Sequence, residues 1–202
     1  NRGPKTDRLR SHNYNGEYGF KEGLSWSALT SGLFSIRFSP KGYLFDSKGA
    51  KGFTEYLYQV LALLNSNVAQ RYLSFLSPTL DFKVGDVIQI PLIEKLLSDN
   101  TNQDFRENVQ LAKLDWDSYE RSWDFQSFPL LSSASESTPT LESSYDAWIT
   151  QNQATIAEMQ RLEEENNRLC IDAYGLQDEL TPEVPIEQIT LTVNPAYRYG
   201  IK

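Results

Sequence analysis

The 202 residues hold one histidine, His12, and one cysteine, Cys170. Nucleophilic catalysis needs a nucleophile, a base and an orienting acid within hydrogen-bond reach of one another. His12 lies in a basic stretch with no identifiable nucleophile or acid to complete such a set. One Cys and one His also exclude an internal disulfide and a soft metal cluster. Acids and aromatics mix in Asp115-Trp-Asp-Ser-Tyr-Glu-Arg-Ser-Trp-Asp-Phe125. Their i, i+2 spacing looks like a calcium loop, but the central Gly and the terminal bidentate Glu are missing. Trp116, Trp123 and Phe125 read instead as a staple holding this segment to the rest of the chain. Asp46-Ser-Lys-Gly-Ala-Lys-Gly52 has neither the glycine spacing nor the following Ser/Thr of a P-loop. It reads as a flexible loop whose N–H groups could approach a phosphate backbone.

Asn194-Pro-Ala-Tyr197 resembles the Asn-Pro-Pro-Tyr/Phe motif of amino-methyltransferases, in which the Asn accepts the target amine and the aromatic stacks on a flipped base. The third residue here is Ala, no glycine-rich strand-turn precedes the run, and five residues follow it. A C-terminal strap with Tyr197 and Tyr199 packed or exposed is the better reading.

Charge is unevenly shared. The net charge is −8, yet residues 1–53 hold nine Lys/Arg against four Asp/Glu, a local balance of +5. Residues 54–202 hold ten against 23, a balance of −13. A basic lobe on an acidic body suits local anion binding, with the acidic remainder turned away from the phosphates.

These side chains must be held by elements that the pattern predicts. Leu33–Phe38 and Tyr43–Phe45 flank Ser39-Pro-Lys-Gly42 and read as a hairpin. Residues 54–77 are helical by their three-to-four spacing, broken at Asn65-Ser66 with one of the two capping the second helix, and ended by Pro78. Val84–Ile90 reads as a strand running into Pro91, and Leu92–Leu97 as a further helical piece. A helix is expected over Thr101–Leu114, and a polar linker over Ser132–Pro139. The longest helix spans 142–174, capped by Gly175, with a stripe interrupted by Gln and Asn that makes a sustained coiled coil insecure. Ile189–Val193 reads as a short strand in a Pro-containing tail. The fold class is α+β: a small mixed sheet with a packed helix pair, followed by a mainly helical spacer with one long helix. Its parts are 1–97, 98–140 and 141–202. Composition is globular, at 40% apolar and 12% aromatic residues. No run of roughly 18 uncharged apolar residues is present. The chain opens at Asn1 without a Met and reads as a fragment of a longer cytoplasmic protein.

Several stretches carry a family resemblance. They are Leu61-Ala-Leu-Leu-Asn-Ser66, Tyr72-Leu-Ser-Phe-Leu-Ser-Pro-Thr-Leu80 and Val84-Gly-Asp-Val-Ile-Gln-Ile-Pro-Leu92, with Phe20–Ser27, Asp115–Phe125 and Ile171–Glu183. Together they resemble the region after the catalytic domain in BREX-type adenine-specific DNA methyltransferases, phage-defence relatives of type IIG restriction-modification enzymes. The resemblance implies a target-recognition domain that reads double-stranded DNA, followed by spacer helices. It implies a catalytic domain upstream that uses S-adenosylmethionine to methylate adenine N6, and no cofactor in this segment. Expected partners are DNA, that catalytic domain and other defence-system proteins, with no membrane. On this reading Arg8, Arg10 and Asn13 are candidate base readers, and Lys21, Arg37, Lys41, Lys48 and Lys51 candidate backbone clamps. A second reading makes the chain a protein–protein docking module without direct DNA contact.

Overall fold

Gly23-Leu-Ser-Trp-Ser27 alternates small polar with large apolar residues, the period-2 pattern of a strand with one face buried. A computed structural model describes residues 15–97, 102–132 and 140–200, and in it this segment is the central strand of a three-stranded sheet. β1 (Gly23–Ser27) pairs antiparallel with β2 (Arg37–Ser39) on one side and β3 (Gly49–Gly52) on the other. Leu24, Trp26 and Ala50 turn inward and are buried. The Trp26 indole N–H donates to the Phe82 carbonyl at 3.1 Å, so its polar edge is satisfied inside the core.

Two helices pack against that face in the same core. α1 spans Leu57–Leu64 and α2 spans Asn67–Leu76. The break falls at Asn65-Ser66, where Ser66 accepts from the Ala69 N–H and caps α2. Asn65 is used differently. Its amide accepts from the Ile36 N–H at 3.0 Å and donates to the Ile36 carbonyl at 2.9 Å, pairing with the chain before β2 as a neighbouring strand would. Val68, Leu73 and Leu24 are nearly inaccessible to water. Burying each such side chain contributes about 1.5–3 kcal/mol.

α3 (Val84–Val87) and a 3₁₀ turn at Glu94–Leu97 close the far side of this core. α4 (Asn102–Asp117) then packs against the long α5 (Leu141–Tyr174). Thr140 and Ser143 form a reciprocal cap at the start of α5, and Gly175 ends it with φ +68. The Asn residues that interrupt the stripe of α5 are its docking groups. Asn166 donates to the Ala62 carbonyl, and Asn167 accepts from the Asn67 N–H. They join α5 to the α1–α2 break, and Cys170 and Ile171 enter the same core as the sheet. The tail returns along α5, packing Val184, Ile189 and Leu191 on Ile156 and Met159. It ends in α6 (Pro195–Tyr199).

Five sequence expectations differ from the structure. Tyr43–Phe45 forms no strand, because β2 is taken by β1 and the Pro40–Gly42 turn instead sends the Gly42 N–H to the Phe20 carbonyl at 2.9 Å. The loop over Asp46–Gly52 contains β3. Val84–Ile90 is not a strand; its buried residues, Val87 and Ile90, lie three apart, and its first four residues are helical. Ile189–Val193 finds no strand partner, since Asp115 takes the N–H groups of Thr192 and Val193 at 2.7 and 3.0 Å. That carboxylate is also the real staple of its segment, for Trp123 is 98% exposed and Trp116 49%.

Candidate nucleic-acid interface

The outward face of the sheet is built from small residues and cations. Residues opposite one another in register share a face. Ser25 is opposite Arg37 on one side and Lys51 on the other, so these three form one cross-strand row facing away from Leu24 and Trp26. Gly23, Ser27, Ser39 and Gly49 share that face and keep it low. Gly23 has a packing reason as well: a Cβ there would lie 2.5 Å from the Gly52 carbonyl oxygen.

One end of the row is reinforced by aromatics. The Lys51 ammonium donates to the Lys21 carbonyl at 2.5 Å and lies 5.9 Å from the Phe53 ring centre. Lys21 Nζ is 5.0 Å from the Tyr18 ring centre, and Tyr18 packs on Phe53 at 4.8 Å. Such cation–ring contacts hold an ammonium in place at about 0.5–1 kcal/mol while leaving its charge exposed. Partial burial lowers the Lys51 pKa from its ordinary value, and Glu22 partly restores it. Phe20 sits at φ +64 with its ring exposed, and its carbonyl receives the Gly42 N–H. That bond brings the Lys41 turn beside Lys21.

Asp46 is the acid nearest the β3 end. Its carboxylate accepts from the Lys48 and Gly49 N–H groups at 2.8 and 2.6 Å. These bonds hold its pKa below the usual value. It therefore sets the turn into β3.

Of the eight candidate residues, the structure puts Arg37 and Lys51 on one face of the sheet, Lys21 beside Lys51 through its carbonyl, and Lys41 in the turn that bonds to Phe20. Lys48 stands at the other end of the β1–β3 pair, three residues from Lys51, roughly 10 Å along a strand. Arg8, Arg10 and Asn13 lie outside the described residues, as does His12. Sequence reading missed the Ser25–Ser27–Ser39 floor and the Tyr18–Phe53 support. The alternation within Gly23–Ser27 was the available signal for the first. The second joins residues 35 positions apart and had none.

Asn194 has no reactive role in this geometry. It is 1% exposed, donates to the Ile186 and Ile189 carbonyls at 2.8 Å each, and caps α6 by accepting from the Ala196 N–H. Tyr197 and Tyr199 are exposed. A hollow of about 270 Å3 between α4 and α5 has Asp115 as its only carboxylate, and that group is spent on backbone N–H donors. Among the described residues no group of three or more His, Cys, Asp or Glu could hold a metal ion. No helix among them is long and apolar enough to cross a membrane.

A small antiparallel sheet with a cationic outer face, mounted on a helical body, is the class of module this chain forms. No family model matches it. It is 44% identical over 184 residues to the adenine-specific methyltransferase PglX of Lacticaseibacillus casei (strain Zhang), a match covering 89% of this chain and 15% of that protein. It is 31% identical over 187 residues to the adenine-specific methyltransferase BrxX of Escherichia coli O9:H4 (strain HS), covering 90% of this chain and 15% of that protein. The chain is thus a homologue of BREX-type adenine-specific methyltransferases over about nine-tenths of its own length, and it spans 15% of the length of these relatives.

Proposed function

We propose that this chain is the DNA-recognition part of a BREX-type adenine-N6 DNA methyltransferase. The observation that carries this reading is the row of Lys51, Ser25 and Arg37, extended by Lys21 and Lys41, on the outer face of a sheet whose helical body is acidic. Cations on a low Ser/Gly floor can approach duplex phosphates closely. Contacts of this kind fix position and register, and base readout falls to further side chains, for which Arg8, Arg10 and Asn13 are our candidates. Residues 1–97 serve as the recognition domain, 98–140 as the connecting segment and 141–202 as the spacer and strap. S-adenosylmethionine and the methyl-transfer groups belong to the rest of the protein, which acts in the cytoplasm with DNA as substrate.

Reversal of charge tests the assignment. The Lys41→Glu, Lys48→Glu, Lys51→Glu triple variant should lower low-salt affinity for a mixed-sequence duplex by at least about tenfold, since each lost phosphate contact removes one counterion-release contribution. Unchanged affinity in a folded triple variant would overturn the clamp assignment.

A further inference from the structure

The segment before β1 carries an exposed aromatic on a backbone that aromatics avoid. Phe20 has φ +64, and its ring is 60% exposed. The left-handed region crowds the Cβ, and a bulky side chain there is a genuine outlier. Asn15, the other non-glycine residue with positive φ among the described residues, is of a type that visits this region readily. Burial of the Phe20 ring does little to offset the strain. Two hydrogen bonds hold the backbone instead. The Phe20 carbonyl accepts from the Gly42 N–H at 2.9 Å, and the next carbonyl, that of Lys21, accepts from the Lys51 ammonium at 2.5 Å. Strained residues fixed in this way gather at binding sites, where the strain pre-organises a contact.

The same two bonds surround the ring with charge. They bring the Lys41–Gly42 turn and Lys51 to the backbone at Phe20 and Lys21. Lys21 follows in sequence, its ammonium held over the Tyr18 ring. The acids of the segment, Glu17 and Glu22, leave these three ammonium groups in excess. Leu44, 69% exposed, adds to the apolar surface beside Phe20: a Cβ at Gly19 would lie 3.5 Å from its Cδ2. Leu44 also lines a hollow of about 340 Å3 with Ser25, Phe45 and Gly49, so this apolar ridge adjoins the row of Arg37, Ser25 and Lys51. An exposed ring among ammonium groups suits a polyanion with apolar faces inside it. Duplex DNA is such a ligand, with phosphates outside and stacked bases within, and apolar wedges inserted between base steps are a known way to hold it.

We infer that Phe20 is such a wedge: with its ammonium neighbours on the phosphates, its ring inserts between adjacent bases of the duplex. This rests on the DNA-recognition reading above and adds to it a contact that charge does not supply.

The test uses the whole chain and a set of mixed-sequence duplexes with 2-aminopurine moved along one strand, since unstacking brightens that base. Binding at low salt should raise its fluorescence severalfold at some positions. Phe20→Gly, which relieves the backbone and removes a largely exposed ring, should not lower melting, yet it should abolish the rise and weaken duplex binding about tenfold. Its salt slope should stay that of the parent, because the phosphate contacts remain. Phe20→Trp should keep both the rise and the affinity. Heparin, which carries charge without bases, should bind the parent and Phe20→Gly equally. Duplex binding with an ordinary salt slope but no rise in fluorescence would overturn the wedge and leave the cationic face standing. So would parental affinity in Phe20→Gly, or an equal loss toward heparin, which would make Phe20 a support for the lysines. Absence of duplex binding by the parent chain at low salt would overturn the recognition reading and the wedge with it.

Discussion

Asp115 gives the C-terminal strap what a strand partner would otherwise supply. In the sequence it stands among acids that suggest a cation site, and only the return of residues 192 and 193 gives it a purpose. Replacing it with Ala leaves two N–H donors without their acceptor. Asp115→Ala should therefore lose about 2–4 kcal/mol in denaturant unfolding. Glu163 makes a different prediction. Burial pushes its carboxyl up to about 7, from an ordinary value of 4.5. The fold favours the protonated form, so Glu163 costs nothing below its unfolded pKa and destabilises progressively as pH rises from about 4.5 through 7. Its side chain keeps some contact with water, which moderates the effect. Glu163→Gln should raise stability by about 1–3 kcal/mol at pH 8 and change it little at pH 4, measured by thermal or urea unfolding at both values. An equal shift at both would contradict the burial argument.

At the scale of elements, the chain was legible where structure is local. Ser66, Pro78 and Gly175 mark helix ends through chemistry confined to one turn, and the α1–α2 break and the end of α5 fall where those residues place them. The strands were poorly legible because their partners are remote. β3 was hidden in what read as a glycine loop, and β2 pairs backward to β1 across the Thr30–Gly32 connection instead of forward to Tyr43. The buried asparagines of α5 were readable as interruptions but not as docking groups, since Asn166 and Ala62 are 104 positions apart. Two substitutions check the local arguments. Ser66→Ala should cost about 1 kcal/mol through the lost cap, and Gly175→Ala about the same, because its left-handed backbone penalises a Cβ. Gly23→Val should cost clearly more, about 2 kcal/mol or above, because the added Cβ meets the β3 backbone. Melting of the three variants ranks them, and a Gly23 variant as stable as the parent would contradict the described β1–β3 approach.

For the whole molecule, the uneven charge of the sequence becomes a separation in space. Among the described residues, Arg37 and Lys51 share a sheet face backed by apolar core with Lys21 beside them, while α4 and α5 carry many of the acids. Half of the candidate clamp was thus visible as composition, and the row that organises it needed the β1 register. The central claim is that this face holds duplex DNA through several phosphates. Fluorescence anisotropy of the chain with a mixed-sequence duplex, followed from low to about physiological salt, tests it most directly. Lys21, Arg37, Lys41 and Lys51 predict a log–log slope of at least about −3, at −0.9 for each neutralised phosphate. A slope near zero, or no binding at the lowest salt, would contradict the account.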